Sequence, residues 1–193
     1  MVLRVGVITS AEPTFLAKLL WGAALHATDW EFALVVFPVE CPGLKEVAAG
    51  MDIESASIDG HYGSDRSSVS RIVQSKLESR GLTVALLARY LRPLDPALLS
   101  AHVVNTHGSL LPAFGGKGFY GQVLHEQVIA SGVRQSGATL HEITAEYDVG
   151  PMLAQRQVMV AADDSAQSLR EKVEQAEIDN IIEYFNARAA SKN

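Results

Sequence analysis

Phe32-Ala33-Leu34-Val35-Val36-Phe37 is apolar at every position. Side chains alternate between the two faces of a strand, so a strand of this composition has both faces covered. Interior strands of parallel sheets read this way, whereas a half-solvated strand alternates apolar and polar residues. Glu31–Val39 therefore reads as an interior strand, and Arg4–Thr9, Thr83–Leu87 and His102–Thr106 are strand candidates beside it. Helical periods separate them. Pro13–Leu25 opens with proline at a first helical position, where the missing N–H has no partner to lose. Ser67–Arg80 sets Val69, Ile72, Val73 and Leu77 on one face, and Gly81 follows as a C-terminal cap. Strand and helix in alternation predict an α/β fold. It is a doubly wound, mostly parallel, Rossmann-like sheet flanked by helices, with right-handed crossovers.

The last third changes rhythm. Gly137–Ile143 and Met152–Val160 are strand-like and separated only by the polar loop Thr144–Gly150, which predicts an antiparallel pair appended to the sheet. A long helix follows from Ser165 towards Arg188, with Leu169, Val173, Ile181 and Phe185 at helical spacing. Neither a repeat nor a linker interrupts the chain, so residues 1–193 read as a single domain.

Composition narrows the function. Of 193 residues, 48% are hydrophobic and 20% charged, enough for a full core. A net charge of −6 argues against a nucleic-acid surface, which would cluster Lys and Arg. The single cysteine, Cys41, excludes an internal disulfide and a cysteine zinc cluster; it sits in the turn-like Val39-Glu40-Cys41-Pro42-Gly43 and reads as an inert thiol. The chain starts directly on a strand, without the basic and apolar segments of a signal peptide, and no apolar run reaches membrane-spanning length. A cytoplasmic protein with no membrane or nucleic-acid partner is expected. The exposed edges of a small α/β domain leave room for a homodimer.

Open parallel sheets bind ligands outside the carboxyl ends of their strands. Those ends carry Ser10–Phe15, Ala88–Leu94 and Asn105–Pro112, and the third is richest in chemistry. Asn105 and His107 lie two apart, so extended backbone directs an amide and an imidazole to the same side. Asp148, in the loop Thr144–Pro151, is the candidate to close a third side. A zinc site among His102, His107, His125 and His141 lacks ligand spacing and a supporting carboxylate, so no metal is expected.

Asn105-Thr106-His107-Gly108-Ser109-Leu110-Leu111-Pro112, with Asp148-Val149-Gly150-Pro151 downstream, resembles the 10-formyltetrahydrofolate-dependent formyltransferases. The nearest branch is the glycinamide ribonucleotide (GAR) formyltransferases, which Phe114–Gly121 also resembles. The resemblance implies a catalytic triad of Asn105, His107 and Asp148 and 10-formyltetrahydrofolate as formyl donor. Formyl transfer to an amine passes through a tetrahedral oxyanion, which needs pre-positioned donors. Asn105 and a protonated His107 supply them, while Asp148 raises the pKa of His107 and organises a proton-carrying water. By the same resemblance, Leu91, Arg92 and Leu94 contact the folate, and the Ile143–Asp148 loop, with Ile143, Thr144 and Tyr147, closes over its pterin.

The acceptor half departs from the branch. There a glycine-rich loop after the first strand holds the ribose 5-phosphate through backbone N–H groups. This chain has Ser10-Ala11-Glu12-Pro13-Thr14-Phe15, with no glycine, a proline without an N–H, and a glutamate that repels phosphate. Glu12, Thr14 and Phe15 are expected to shape the acceptor site, and the resemblance sets Glu177 against the acceptor's amine. These features point to a small amine or N-hydroxylamine without a ribose phosphate. Two alternatives stay open: a divergent GAR enzyme that holds phosphate through other residues, such as Lys117 or Arg66, and a 10-formyltetrahydrofolate hydrolase with water as acceptor.

Overall fold

A computed structural model describes residues 2–10, 12–38, 41–58 and 65–191. In chain order the elements are β1 (Leu3–Thr9), α1 (Pro13–His26), β2 (Trp30–Phe37), α2 (Pro42–Gly50), β3 (Glu54–Ser57), α3 (Arg66–Glu78) and β4 (Val84–Ala88). After a short 3-10 turn at Pro96–Leu98 come β5 (His102–His107), α4 (Gly121–Ala130), β6 (Gln135–Glu142), β7 (Met152–Met159) and α5 (Ala166–Ala190). The strand order is β3-β2-β1-β4-β5-β6-β7. β1 pairs in parallel with β2 and β4, β2 in parallel with β3, and β6 antiparallel with β7. This is the doubly wound sheet with its appended antiparallel pair that the alternation predicted.

The chain divides into two compact units. The first comprises Met1–Val104 and Phe185–Asn193, and the second Asn105–Tyr184. In the first, Val5, Val7 and Ile8 of β1 and Leu34, Val35 and Val36 of β2 are completely buried, and every residue of β4 is buried. α1 buries Phe15, Leu16, Leu19, Leu20 and Ala23, and α3 buries Val69, Val73 and Leu77. Each such aliphatic side chain contributes about 1.5–3 kcal/mol by leaving water. α3 starts on Asp65, whose carboxylate accepts from the N–H groups of Ser67 and Ser68. It ends as a Schellman motif: Gly81 adopts φ +65°, and the Leu82 N–H donates to the Leu77 carbonyl.

The second unit packs Val128 of α4, Ala138 of β6, and Leu169, Val173 and Ala176 of α5 into one cluster. β6 is buried from Ser136 to His141, while β7 is largely solvated along its length. The difference follows from position, since β7 is the last strand of the sheet.

Three elements go beyond the sequence reading. α2 begins at Pro42, inside the stretch read as a turn, with half-buried Cys41 preceding it. Val39 and Glu40, the end of the expected second strand and the start of that turn, lie outside the described residues. β3 is Glu54-Ser55-Ala56-Ser57, a polar segment held by pairing with Leu34–Phe37 rather than by its own propensity. α4 buries only Leu124, His125 and Val128, too short a stripe to mark a helix. β5 also runs one residue beyond expectation, to His107, so that histidine stands on the strand itself.

Candidate active site

The second unit brings Asn105, His107 and Asp148 together and adds His141. β5 carries Asn105 and His107 on one side, and the loop after β6 returns Asp148 to them. The carboxylate lies between two imidazoles, with His107 Nδ1 3.6 Å from Oδ2 and His141 Nε2 3.6 Å from Oδ1. The Gly116 N–H donates to Oδ2 at 2.8 Å. A separation of 3.6 Å exceeds a direct hydrogen bond and suits a charge contact or a bridging water.

Backbone partners fix the rings. His107 Nε2 is 2.8 Å from the Phe114 carbonyl, which only accepts, so Nε2 carries a hydrogen and Nδ1 is the atom turned to Asp148. His141 Nδ1 faces the Glu142 carbonyl at 2.9 Å and is protonated by the same argument. Its Nε2 lies 3.0 Å from the Asn105 amide nitrogen. With Nδ1 carrying the hydrogen, Nε2 of the neutral ring accepts from Asn105. The neutral ring thereby holds the Asn105 carboxamide in one orientation, leaving its second N–H for a ligand.

Charge follows geometry. Burial alone would push the Asp148 carboxyl up. The His141 ring, the charge of His107 and the Gly116 N–H outweigh it and hold the group below the ordinary carboxylate value. Asp148 is therefore the anion of the cluster at neutral pH.

The loop between β5 and α4 is held from below. Thr139 Oγ1 donates to the Ser109 carbonyl at 2.6 Å and accepts from the Leu111 N–H at 3.0 Å. Gln155 Nε2 reaches the Leu111 carbonyl at 2.9 Å, and Ser109 Oγ donates to the Ala113 carbonyl. Phe114 and Asp148 adopt φ of 53° and 56°, a region that costs a non-glycine residue about 1–3 kcal/mol. Both are pinned, Phe114 through its carbonyl to His107 and Asp148 through its carboxylate to Gly116. The glycine of Asp148-Val149-Gly150 has a steric reason: a Cβ there would lie 1.8 Å from the Glu142 carbonyl oxygen, so only glycine lets the loop close on β6.

The remaining expected residues are distributed differently. Glu177 is buried on α5 and accepts from Thr106 Oγ1 at 3.3 Å. Thr106 stands between Asn105 and His107 and so points to the opposite face of β5, which sets Glu177 behind the cluster rather than beside it. Ile143 and Thr144 are half-buried and Tyr147 is exposed on the loop leading to Asp148. In the first unit Leu91 is exposed and Arg92 half-buried, whereas Leu94 is a core residue whose carbonyl takes a hydrogen bond from Arg66. Lys117 is exposed, and Glu12 and Thr14 are exposed at the start of α1. Phe15 is not an open wall: its ring is buried, with the Arg89 guanidinium 3.8 Å from its centroid. Among the described residues no group of His, Cys, Asp or Glu has the arrangement of a metal site.

His141 is the residue that the sequence reading left unassigned. Its signal was the spacing already used on β5. Thr139 and His141 also lie two apart on one strand, and that strand leads straight into the loop carrying Asp148.

An amide, two imidazoles and an ionised carboxylate around one point of an α/β sheet have the groups that acid–base chemistry needs. The chain belongs to the formyl transferase family, whose model matches residues 3–184. It is 47% identical over 105 residues to a chloroplastic phosphoribosylglycinamide formyltransferase of Vigna unguiculata, covering 53% of this chain and 34% of that one. A chloroplastic phosphoribosylglycinamide formyltransferase of Arabidopsis thaliana is 41% identical over 127 residues, with 64% and 43% covered. The chain thus spans less than half the length of these two curated relatives. The fold is similar to the crystal structure of glycinamide ribonucleotide transformylase 1 from Symbiobacterium toebii, at TM-score 0.85 and 26% identity over 98% of this chain and 89% of that one. Among the described residues no helix is long and apolar enough to cross a membrane.

Proposed function

We propose that this chain transfers the formyl group of 10-formyltetrahydrofolate to the primary amine of glycinamide ribonucleotide. The observation that carries the reading is the Asn105, His107, His141 and Asp148 cluster in a chain of the formyl transferase family. The similarity to phosphoribosylglycinamide formyltransferases supports the ribotide over the phosphate-free amine suggested by the Ser10–Phe15 loop.

The residues suit the steps. The acceptor nitrogen attacks the formyl carbonyl, and the developing oxyanion meets the second N–H of Asn105, whose first is held by His141. The attacking amine must lose a proton and the departing folate nitrogen must gain one. Asp148, ionised and flanked by Nδ1 of His107 and Nε2 of His141, holds the relaying water between groups that can take and return a proton. No side chain is acylated. Ile143, Thr144 and Tyr147, on the loop leading to Asp148, are folate contacts of this reading. Glu177, bonded to Thr106 on the opposite face of β5, has no part in the acceptor contact of this reading.

The test is formyl transfer followed by absorbance as free folate appears, with GAR, with phosphate-free amines and hydroxylamines, and without acceptor. Turnover with GAR and silence without acceptor is the expected result. Activity confined to phosphate-free acceptors would overturn the ribotide. Formate release without acceptor would mean a hydrolase, an outcome given weight by 29% identity over 174 residues to a formyltetrahydrofolate deformylase of Bacillus subtilis.

A further inference from the structure

Gly137, Thr139 and His141 alternate along β6 and share one of its faces, and Gln155 of β7 is the cross-strand partner of Thr139. His141 meets Asn105 directly. The other three stand outside the cluster, yet the turn between β5 and α4 rests on them. A Cβ at Gly137 would lie 2.8 Å from the Leu110 side chain and would collide with the Arg156 carbonyl oxygen. Glycine there lets both the turn and β7 approach.

The polar groups beside that glycine are saturated. Thr139 Oγ1 gives its hydrogen to the Ser109 carbonyl at 2.6 Å and accepts from the Leu111 N–H and from Gln155 Nε2, each at 3.0 Å. A hydroxyl has one hydrogen and two lone pairs, so all of its capacity is used. Gln155 Nε2 also donates to the Leu111 carbonyl at 2.9 Å. Thr139 is completely buried, whereas Gln155 is exposed on the last strand of the sheet. Together they grip Ser109 and Leu111 by the backbone. From there Ser109 Oγ reaches the Ala113 carbonyl at 2.6 Å, and the next carbonyl, that of Phe114, receives His107 Nε2. Phe114 stands at φ +53°, a conformation that persists only where the surroundings over-determine it.

We propose that Thr139 and Gln155 are positioning residues for His107. By holding Ser109 and Leu111 they place the Phe114 carbonyl where it keeps a hydrogen on Nε2 and so keeps Nδ1 turned to Asp148. Both act through the backbone of the turn rather than on the reacting atoms. If the turn relaxed, the carbonyl would leave Nε2 and the neutral ring could carry its hydrogen on Nδ1 instead, which cannot then accept one. The consequence for turnover rests on the function proposed above, whereas the tautomer follows from the geometry alone.

The experiment compares Thr139→Val, Thr139→Ser and Gln155→Met with the wild-type chain, each checked by circular dichroism and thermal melting. Valine keeps the shape of threonine without the hydroxyl, serine keeps the hydroxyl without the methyl, and methionine removes the amide from an exposed position. With GAR as acceptor, Thr139→Val should lose about a hundredfold in kcat, with KM for GAR and for the folate within about threefold. Gln155→Met should lose about tenfold and Thr139→Ser less than about threefold. If kcat instead follows melting temperature, with Thr139→Ser as slow as Thr139→Val, the pair only supports the fold and the proposal is overturned. Gln155→Met decides alone if Thr139→Val does not fold. Nitrogen NMR spectra of the neutral imidazoles, with His107 assigned through His107→Gln, need no substrate. The wild-type ring should carry its hydrogen on Nε2, with the Nδ1 form appearing in Thr139→Val and Gln155→Met and absent again in Thr139→Ser. An unchanged tautomer in the first two variants, or a changed one at wild-type kcat, overturns the proposal and leaves the proposed function intact. A changed tautomer in a chain that does not turn over GAR keeps the positioning role and sinks the ribotide as acceptor.

Discussion

At the carboxyl end of β5, two imidazoles are oriented by backbone carbonyls, the amide by His141 and the carboxylate by the Gly116 N–H. At the carboxyl ends of β1 and β4, a single cation lies against an aromatic ring. The first arrangement depends on direction as well as charge. A proton relay works only if each atom faces the correct neighbour, so amide, imidazole and carboxylate cannot exchange places. The second depends mainly on charge and reach. Anions are bound equally well by a helix N-terminus, a turn of N–H groups or an arginine fork, so one can replace another without altering the reaction. A proton relay therefore constrains residue types more tightly than the binding of an anion does.

The comparison can be broken from either side. The largest effect on turnover is expected for Asp148→Asn, which keeps the shape and removes the anion: kcat should fall by about a thousandfold, with folate affinity within about tenfold. Near-normal kcat in stopped assays, with the folate site intact by equilibrium binding, would remove Asp148 from the relay.

His141→Gln should lower kcat by roughly a hundredfold and also change the pH profile. The His141 ring is the largest influence lowering the Asp148 carboxyl, so its loss raises that pKa. The acid limb of the kcat profile should then move to higher pH, whereas a merely structural role for His141 would leave the limb in place. The stability contribution has a matching sign. Because the folded carboxyl lies below its unfolded value, its contribution is complete above the unfolded pKa and disappears as pH falls through the folded one. The gap between urea melts of wild type and Asp148→Asn should therefore start to narrow only below about pH 4 and keep closing as pH falls further.

The smallest effect on chemistry belongs to Leu86→Ala. Leu86 is completely buried on the strand that leads to Arg89, and truncation should cost about 2–5 kcal/mol of stability in denaturant titration. Below the melting transition, the preference for GAR over its ribonucleoside should stay within about twofold of wild type, because local stability and anion recognition are distinct properties. A larger shift would mean that the packing of β4 sets the preference.

Much of the fold was legible because burial imposes period and composition. The run from Phe32 to Phe37 suits an interior strand, and the paired runs Gly137–Ile143 and Met152–Val160 leave room between them only for a short reversal. β3 and α4 were missed for a physical reason: Glu54–Ser57 owes its strand to the backbone of β2, and α4 has too few apolar positions to show a period. In the site, Asn105 and His107 were visible from their spacing on β5. His141 was not assigned: its two-residue spacing from Thr139 matched that of Asn105 and His107, but nothing local tied that strand to theirs.

By itself, the sequence determined the residue types that chemistry requires and the alternation that winds the sheet, since both are local properties of the chain. Tertiary structure alone decided which partner each of those residues meets. It turned His107 Nδ1 rather than Nε2 to Asp148 and set Glu177 behind β5 against Thr106. It also covered Phe15 with Arg89, residues 74 positions apart in the chain. Such contacts depend on how distant segments pack, and no periodicity along the chain encodes them.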